Sequence, residues 1–177
     1  MKHTHPATLN EMLQSRVKQH PDKLALIFKD NKWSYAGFHR EVDRIANGFI
    51  RIGVKRGDRI AFVLPNCAEF LFAVFAVTKI GAVFVPLNPQ YTPEEAEYVL
   101  QHSEASIIIT SPELLPLIDA VREKLPNLNR VIVTGESGTS TSSSWNDFLS
   151  GAADHDLDIA VDPEDLASIT YTSGTTD

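Results

Sequence analysis

Little in this sequence invites an extracellular, membrane or nucleic-acid reading. Its single cysteine, Cys67, rules out an internal disulfide, and nothing else points to an oxidising compartment. Cys67 sits among apolar residues and reads as a small buried thiol rather than a nucleophile. Basic residues are in deficit, 16 against 23 acidic ones, and the formal net charge of -7 repels phosphate backbones and anionic lipid over any broad face. Nucleic acid is therefore not an expected partner. Long apolar runs are missing as well. The richest stretch, Phe70 to Leu87, is interrupted by Thr78, Lys79 and Gly81, short of the roughly 20 unbroken apolar residues of a spanning helix. Met1-Lys2-His3-Thr4-His5-Pro6 leads into no apolar stretch, so no secretory signal is expected and the expected location is the cytoplasm.

What is present is one core's worth of chain: 177 residues of ordinary globular composition, read as a single domain or part of a larger one spanning 1–177. Leu24–Lys29, an Asp30-Asn31 turn and Lys32–Tyr35 read as a hairpin. Phe38, Val42, Ile45, Ala46 and Phe49 recur at helical spacing behind a Ser34 cap, with Gly53 as the stop. Strands are expected at Arg59–Leu64, Ala82–Val85, Ser106–Ile109 and Arg130–Val133. Between them the sequence predicts helices opened by Asn66 with Glu69, by Thr92-Pro93 with Glu95, and by Ser111-Pro112. Apolar strands alternating with helices of about a dozen residues argue for an α/β fold, a mostly parallel sheet with helices on both faces.

Other features read as structure rather than chemistry. The Gly/Ser/Thr stretch at about 135–144 has too little apolar area to offset ordering and is expected to be a mobile surface loop. Asp154, Asp156, Asp158, Asp162, Glu164 and Asp165 lack any cation-loop spacing and read as a solvated linker. His3 and His5 form an unfinished metal pair, and the other histidines lack ligand spacing. Phe70, Phe72 and Phe75 read as core before acyl tunnel, and Pro86-Leu87-Asn88-Pro89 as a stiff corner before a ligand contact.

The final segment changes character. Leu166–Tyr171 reads as a strand, and it runs into Thr172-Ser173-Gly174-Thr175-Thr176, where every side chain is small or hydroxylated. Backbone N–H groups in such a turn form a nest for anions, and the hydroxyls add rotatable donors around phosphate oxygens. On chemistry alone an ordinary polar turn outweighs a phosphate site, because Gly, Ser and Thr also gather in turns for backbone reasons. No Walker pattern with its lysine occurs, and no Gly-x-Gly-x-x-Gly follows any strand, which argues against the usual nucleotide-hydrolase and dinucleotide folds.

The string Tyr171-Thr172-Ser173-Gly174-Thr175-Thr176 resembles the signature of the adenylate-forming superfamily, which includes acyl- and aryl-CoA synthetases, luciferases and peptide-synthetase adenylation domains. The resemblance extends back through His20–Leu26, Gly53–Ala61, Leu64-Pro65-Asn66 and Gly81–Pro89, in the family's order and spacing. It implies the N-terminal part of that family's large domain, and an ATP-dependent ligase, first of all a fatty-acid (acyl)-CoA synthetase. In such an enzyme a carboxylic acid attacks the α-phosphate of ATP, pyrophosphate leaves, and the thiol of coenzyme A captures the acyl-adenylate.

By the same resemblance Thr172 sits beside Mg2+, while Ser173, Gly174, Thr175 and Thr176 wrap the β- and γ-phosphates. The catalytic residues are expected beyond the chain end, so the segment alone is expected to be inactive. Asp177 stands where the family has Gly, and its carboxylate would repel a nearby phosphate. Two alternatives stay open: an aryl-CoA ligase or other adenylating enzyme, and a non-catalytic nucleotide-binding or interaction module. Exposed apolar surface on a partial sheet also makes a homodimer an open expectation.

Overall fold

The structure, a computed structural model, describes residues 6–135, 141–157 and 159–172. In chain order the elements are α1 (Leu9–Gln19), β1 (Leu24–Phe28), β2 (Asn31–Ser34), α2 (Tyr35–Arg51), β3 (Arg59–Val63), α3 (Ala68–Lys79) and β4 (Val83–Pro86). There follow α4 (Pro93–His102), β5 (Ile107–Thr110), α5 (Leu115–Val121), a 3-10 turn (Arg122–Lys124), β6 (Arg130–Val133), β7 (Ser143–Ser144) and α6 (Trp145–Leu149). Strands β1 and β2 form an antiparallel hairpin, and the remaining five make one parallel sheet in the order β4-β3-β5-β6-β7.

Both faces of the sheet are buried, which is why its strands are apolar without alternation. Ile60 and Phe62 of β3, with Ile107, Ile109 and Ile132, pack against α2 and α3 through Val42, Ile45, Phe49, Ala73 and Val77. Ala61 and Val63, with Ile108, Val131 and Val133, pack on the other side against α4 and α5 through Ala96, Val99, Leu100, Ile118 and Val121. Each large side chain so buried contributes about 1.5–3 kcal/mol relative to exposure. The phenylalanines of α3 belong to this core: Phe72 meets Trp33 and Phe38 edge-on, and Phe70 meets Phe62.

Several boundaries differ from the sequence reading, each for a local reason. Asn31 already pairs with Phe28, so the hairpin turns on Lys29-Asp30, with Lys29 at φ 52°. Helix α1 was not foreseen, although Thr8 and Glu11 close its first turn: the Thr8 hydroxyl accepts from the Glu11 amide at 3.2 Å and the Glu11 carboxylate accepts from the Ala7 amide at 2.7 Å. The cap of α3 is Cys67 rather than Asn66, its Sγ accepting from the Phe70 amide at 3.4 Å. After β5, the amides of Leu114 and Leu115 both donate to the Ser111 carbonyl, so the chain turns once before α5 begins at Leu115.

The end of the Gly/Ser/Thr stretch is ordered rather than loose. Ser143 and Ser144 extend the sheet beside Ile132 and Val133, and the Ser144 hydroxyl accepts from the Asp147 amide to cap α6. That short helix docks on α2 at Gly48, where any Cβ would come within 2.9 Å of Phe148 Cζ. Residues 136–140 of the same stretch lie outside the described residues.

The acidic linker is likewise more than a solvated loop. Lys79 is fully buried at the end of α3, and its ammonium lies 2.5 Å from both Asp43 on α2 and Asp156 of the linker. His39 Nδ1 adds a 3.0 Å contact to Asp43. Arg56 pairs with Asp165 further along. Burial alone would raise the Asp43 carboxyl, but hydrogen bonds from His39 and Lys79 outweigh it and hold Asp43 below its ordinary value. His39, Asp43 and Asp156 thus converge as a metal site would, yet the cation among them is the protein's own ammonium.

Removing one partner of a buried pair leaves an uncompensated charge and costs about 3–5 kcal/mol. Lys79→Met is therefore expected to lower unfolding stability by that amount in urea titration. Asp156→Asn, at the exposed end of the clasp, should cost about 1 kcal/mol or less. Because the folded Asp43 value is depressed, its contribution is fully present above the unfolded carboxyl value near 3.8 and is lost as pH falls through the folded value. Acid denaturation of Lys79→Met should accordingly lack part of the steepness seen in the parent below about pH 4.

Burial raises the Cys67 thiol to about 11, the Phe70 amide working against the shift and Glu69 adding to it. Maleimide labelling should therefore be slow at pH 8 and accelerate toward pH 11; rapid labelling of folded protein at pH 8 would contradict the capping role.

Candidate functional site

The carboxyl edge of a parallel sheet is where open α/β folds bind ligands, and β4 leads the chain to that edge. Past β4, the Leu87 amide donates to the Phe62 carbonyl, and Leu87 is buried. Asn88 Oδ1 then accepts from the Gln90 amide at 3.0 Å and its carbonyl from the Tyr91 amide. Pro86-Leu87-Asn88-Pro89 is thus a rigid corner, and it delivers the chain to α4. Thr92 and Glu95 satisfy each other's backbone amides in a capping box that fixes the start of that helix.

The segment after the acidic linker returns beside β4. It is not the full strand expected over Leu166–Tyr171: one parallel bridge, Phe84 with Ser168, joins it to the sheet edge. The Phe84 amide donates to the Ala167 carbonyl and the Ile169 amide donates to the Phe84 carbonyl, both at 3.1 Å. Pairing stops there because the segment is largely solvent-exposed and buries only one face, through Ile169 and Tyr171. A parallel run from Ser168 carries Thr172 past the end of β4 to the carboxyl edge.

Tyr171 is held by α4. Its hydroxyl lies 2.7 Å from His102 Nδ1, His102 stacks on Tyr98 with ring centroids 5.6 Å apart, and Tyr171 meets both rings edge-on. Burial raises the Tyr171 phenol above its ordinary value, Tyr98 adds to the shift and a hydrogen bond with Ser103 opposes it. A groove of about 360 Å³ runs along this face, bordered by Tyr91, Glu94, Glu95, Tyr98, Tyr171 and Thr172. Among the described residues, two carboxylates and no Lys or Arg border it.

Of the five residues expected to hold nucleotide, Thr172 is exposed at the mouth of this groove. Ser173, Gly174, Thr175 and Thr176, like Asp177, His3 and His5, lie outside the described residues. The sequence reading missed Tyr98 and His102. Their i, i+4 spacing marks an aromatic pair on one helix face, but nothing in the sequence tied that pair to a tyrosine 69 residues downstream. Phe75 does border an apolar cleft of about 320 Å³, with Met12, Phe38 and Leu71. That cleft belongs to the α2–α3 side of the sheet, away from Tyr171.

Residues 13–176 match the AMP-binding enzyme family. Among curated proteins the chain is 35% identical, over 95% of its length, to the crotonobetaine/carnitine–CoA ligase of Salmonella paratyphi A, covering 34% of that protein. Among solved structures it superposes on the anthranilate CoA ligase AuaEII, crystallised with anthranoyl-AMP, with TM-score 0.91 and 28% identity over 96% of this chain and 33% of that one. A Mycobacterium tuberculosis fatty acyl CoA synthetase gives TM-score 0.84 and 26% identity, with 94% of this chain and 33% of that one covered. The chain therefore spans about a third of the length of the relatives it matches. It belongs to the AMP-binding enzyme family.

Proposed function

We propose that this chain, read as one partial domain over 1–177, supplies the amino-terminal part of the nucleotide-binding domain of an ATP-dependent acyl-CoA ligase, and that residues 172–176 cradle the pyrophosphate half of ATP. The observation that carries the reading is the course of the segment paired with Phe84: it runs parallel to β4, and its direction carries Thr172 toward the carboxyl edge of the sheet. Backbone amides and hydroxyls in that loop would donate to phosphate oxygens that gain charge as the acyl-adenylate forms.

Among the described residues, the polar side chains bordering the groove at Thr172 carry oxygen donors, the hydroxyls of Thr172 and of Tyr91, Tyr98 and Tyr171 and the carboxylates of Glu94 and Glu95, which is the donor type Mg2+ takes, and no basic side chain borders it to offset phosphate charge. In the ligase reading the Thr172 hydroxyl would hold Mg2+, which when bound would supply the charge neutralisation that the bordering side chains do not. Glu95 is already engaged in the cap of α4, which leaves Glu94 as the freer carboxylate there.

The acid that is activated is a carboxylic acid, coenzyme A takes the acyl group, and we assign the reaction to the cytoplasm. No helix among the described residues is long and apolar enough to cross a membrane. A medium- or long-chain fatty acid is our first choice of substrate, supported by likeness to the fatty acyl CoA synthetase. Aromatic acids follow, and the name of the Salmonella relative adds small betaine acids. The described residues supply the sheet and the entry to the cradle, so the segment by itself is expected to be inactive.

Carboxylate-dependent exchange of labelled pyrophosphate into ATP by the complete protein tests this directly. Activity is expected with at least one of the fatty, aromatic or betaine acids, and none with any of them sinks the ligase reading. Thr172→Val should lower the exchange rate by about 10- to 100-fold and raise the Mg2+ concentration needed for half-maximal rate. An unchanged Mg2+ requirement would remove Thr172 from the metal.

A further inference from the structure

The phosphate loop enters the site from a thinly held segment. Among the described residues, two backbone hydrogen bonds on Phe84 tie 167–169 to the sheet. Beyond Ile169 the backbone makes no ladder with β4, and Tyr171 is the residue whose side chain reaches back to a rigid element before Thr172. That element is α4, whose first turn is fixed by the Thr92–Glu95 box and whose inner face buries Ala96, Val99 and Leu100. Its last residue, His102, meets the Tyr171 hydroxyl at 2.7 Å.

We propose that His102 is a positioning residue for the phosphate loop: its hydrogen bond to Tyr171 fixes the point from which Thr172 and the residues after it approach ATP. This rests on the ligase reading above. His102 touches neither Thr172 nor the phosphates in this account and acts through Tyr171 alone. Tyr98 restrains the imidazole from the other side. Tyr98 is 61% exposed, so its burial contributes little; it stacks near-parallel on His102, at 25°, and meets Tyr171 edge-on. The arrangement is a relay of three rings from a helix to a loop, with the His102–Tyr171 hydrogen bond at the decisive step.

The consequence is specific. A hydrogen bond of this kind is worth about a fivefold change in an equilibrium constant, so loosening it should cost ATP positioning about that much and leave the acyl and thiol steps alone. Asn places an amide where Nδ1 sits and can replace the bond, which Ala cannot. Three variants follow: His102→Ala, His102→Asn and Tyr171→Phe.

Two measurements test the proposal separately. In this chain, amide hydrogen exchange at Ile169, whose N–H donates to the Phe84 carbonyl just before the anchor, reads the anchor without any activity. It should accelerate about fivefold in His102→Ala and Tyr171→Phe and return toward the parent rate in His102→Asn. In the complete ligase, pyrophosphate exchange should show KM for Mg-ATP raised about fivefold in the first two variants, no further rise when they are combined, and recovery in His102→Asn. KM for the carboxylic acid should stay at the parent value.

Unchanged exchange at Ile169 in folded His102→Ala overturns the anchor. Faster exchange at Ile169 with unaltered KM for ATP overturns the positioning role. A parent protein that exchanges no pyrophosphate overturns the ligase reading itself and takes the positioning role with it, a result distinguishable from the first two because it is seen before any substitution.

Discussion

Two hydrogen bonds on the backbone of Phe84 govern where the chemistry of this chain can happen. One accepts the Ile169 amide and the other donates to the Ala167 carbonyl, and together they force the returning segment to run parallel to β4. An antiparallel return would have sent the hydroxyl-rich loop to the amino edge of the sheet, among strand beginnings, where a nucleotide has no crevice to enter. Parallel pairing carries Thr172 toward the carboxyl edge. The interaction is slight in energy and large in consequence, since direction rather than strength is what it supplies.

The elements that make such a slight tie sufficient are strong ones. Phe84 itself is part of β4, which pairs with the fully buried β3 and so cannot shift without disturbing both faces of the core. The linker that precedes the returning segment is held by the buried Lys79 through Asp156 and by Arg56 through Asp165. These pairs bring the chain back to the sheet at a fixed place before the two backbone bonds are made. Beyond them Tyr171 and His102 define the last fixed point before Thr172. Three constraints of different kinds, ionic, backbone and aromatic, thus act in series on this part of the chain, through Lys79 at the end of α3 with Arg56, through Phe84 of β4 and through His102 of α4.

How much of this was readable from the residues follows from the range of each interaction. The parallel sheet and its helices were legible because local signals suffice: helical spacing from Phe38 to Phe49, the Thr92-Pro93-Glu95 box, and short apolar strands bounded by Gly and Pro. The end of the sheet at Ser143-Ser144 was not, because neither residue carries a strand signal and the pairing comes from β6. Lys79 looked like an interruption in an apolar run; its two partners lie 36 and 77 residues away, and no local pattern announces them. The same holds for His102 and Tyr171. The string at 171–176 is legible in the sequence, but the groove beside Thr172 and the rings that hold Tyr171 are tertiary facts. Four of its five residues, Ser173 to Thr176, lie outside the described residues, so their contacts stay a proposal.

The central claim is that Thr172 stands at the phosphate seat, at the mouth of the groove beside α4. A crystal structure of the complete protein with Mg2+ and a non-hydrolysable ATP analogue tests it most directly. The account predicts the Thr172 hydroxyl oxygen at about 2.1 Å from the ion, with the β- and γ-phosphates against residues 173–176. A triphosphate bound on the α2–α3 side of the sheet, or at the carboxyl edge with Thr172 turned away from both ion and phosphate, would contradict it.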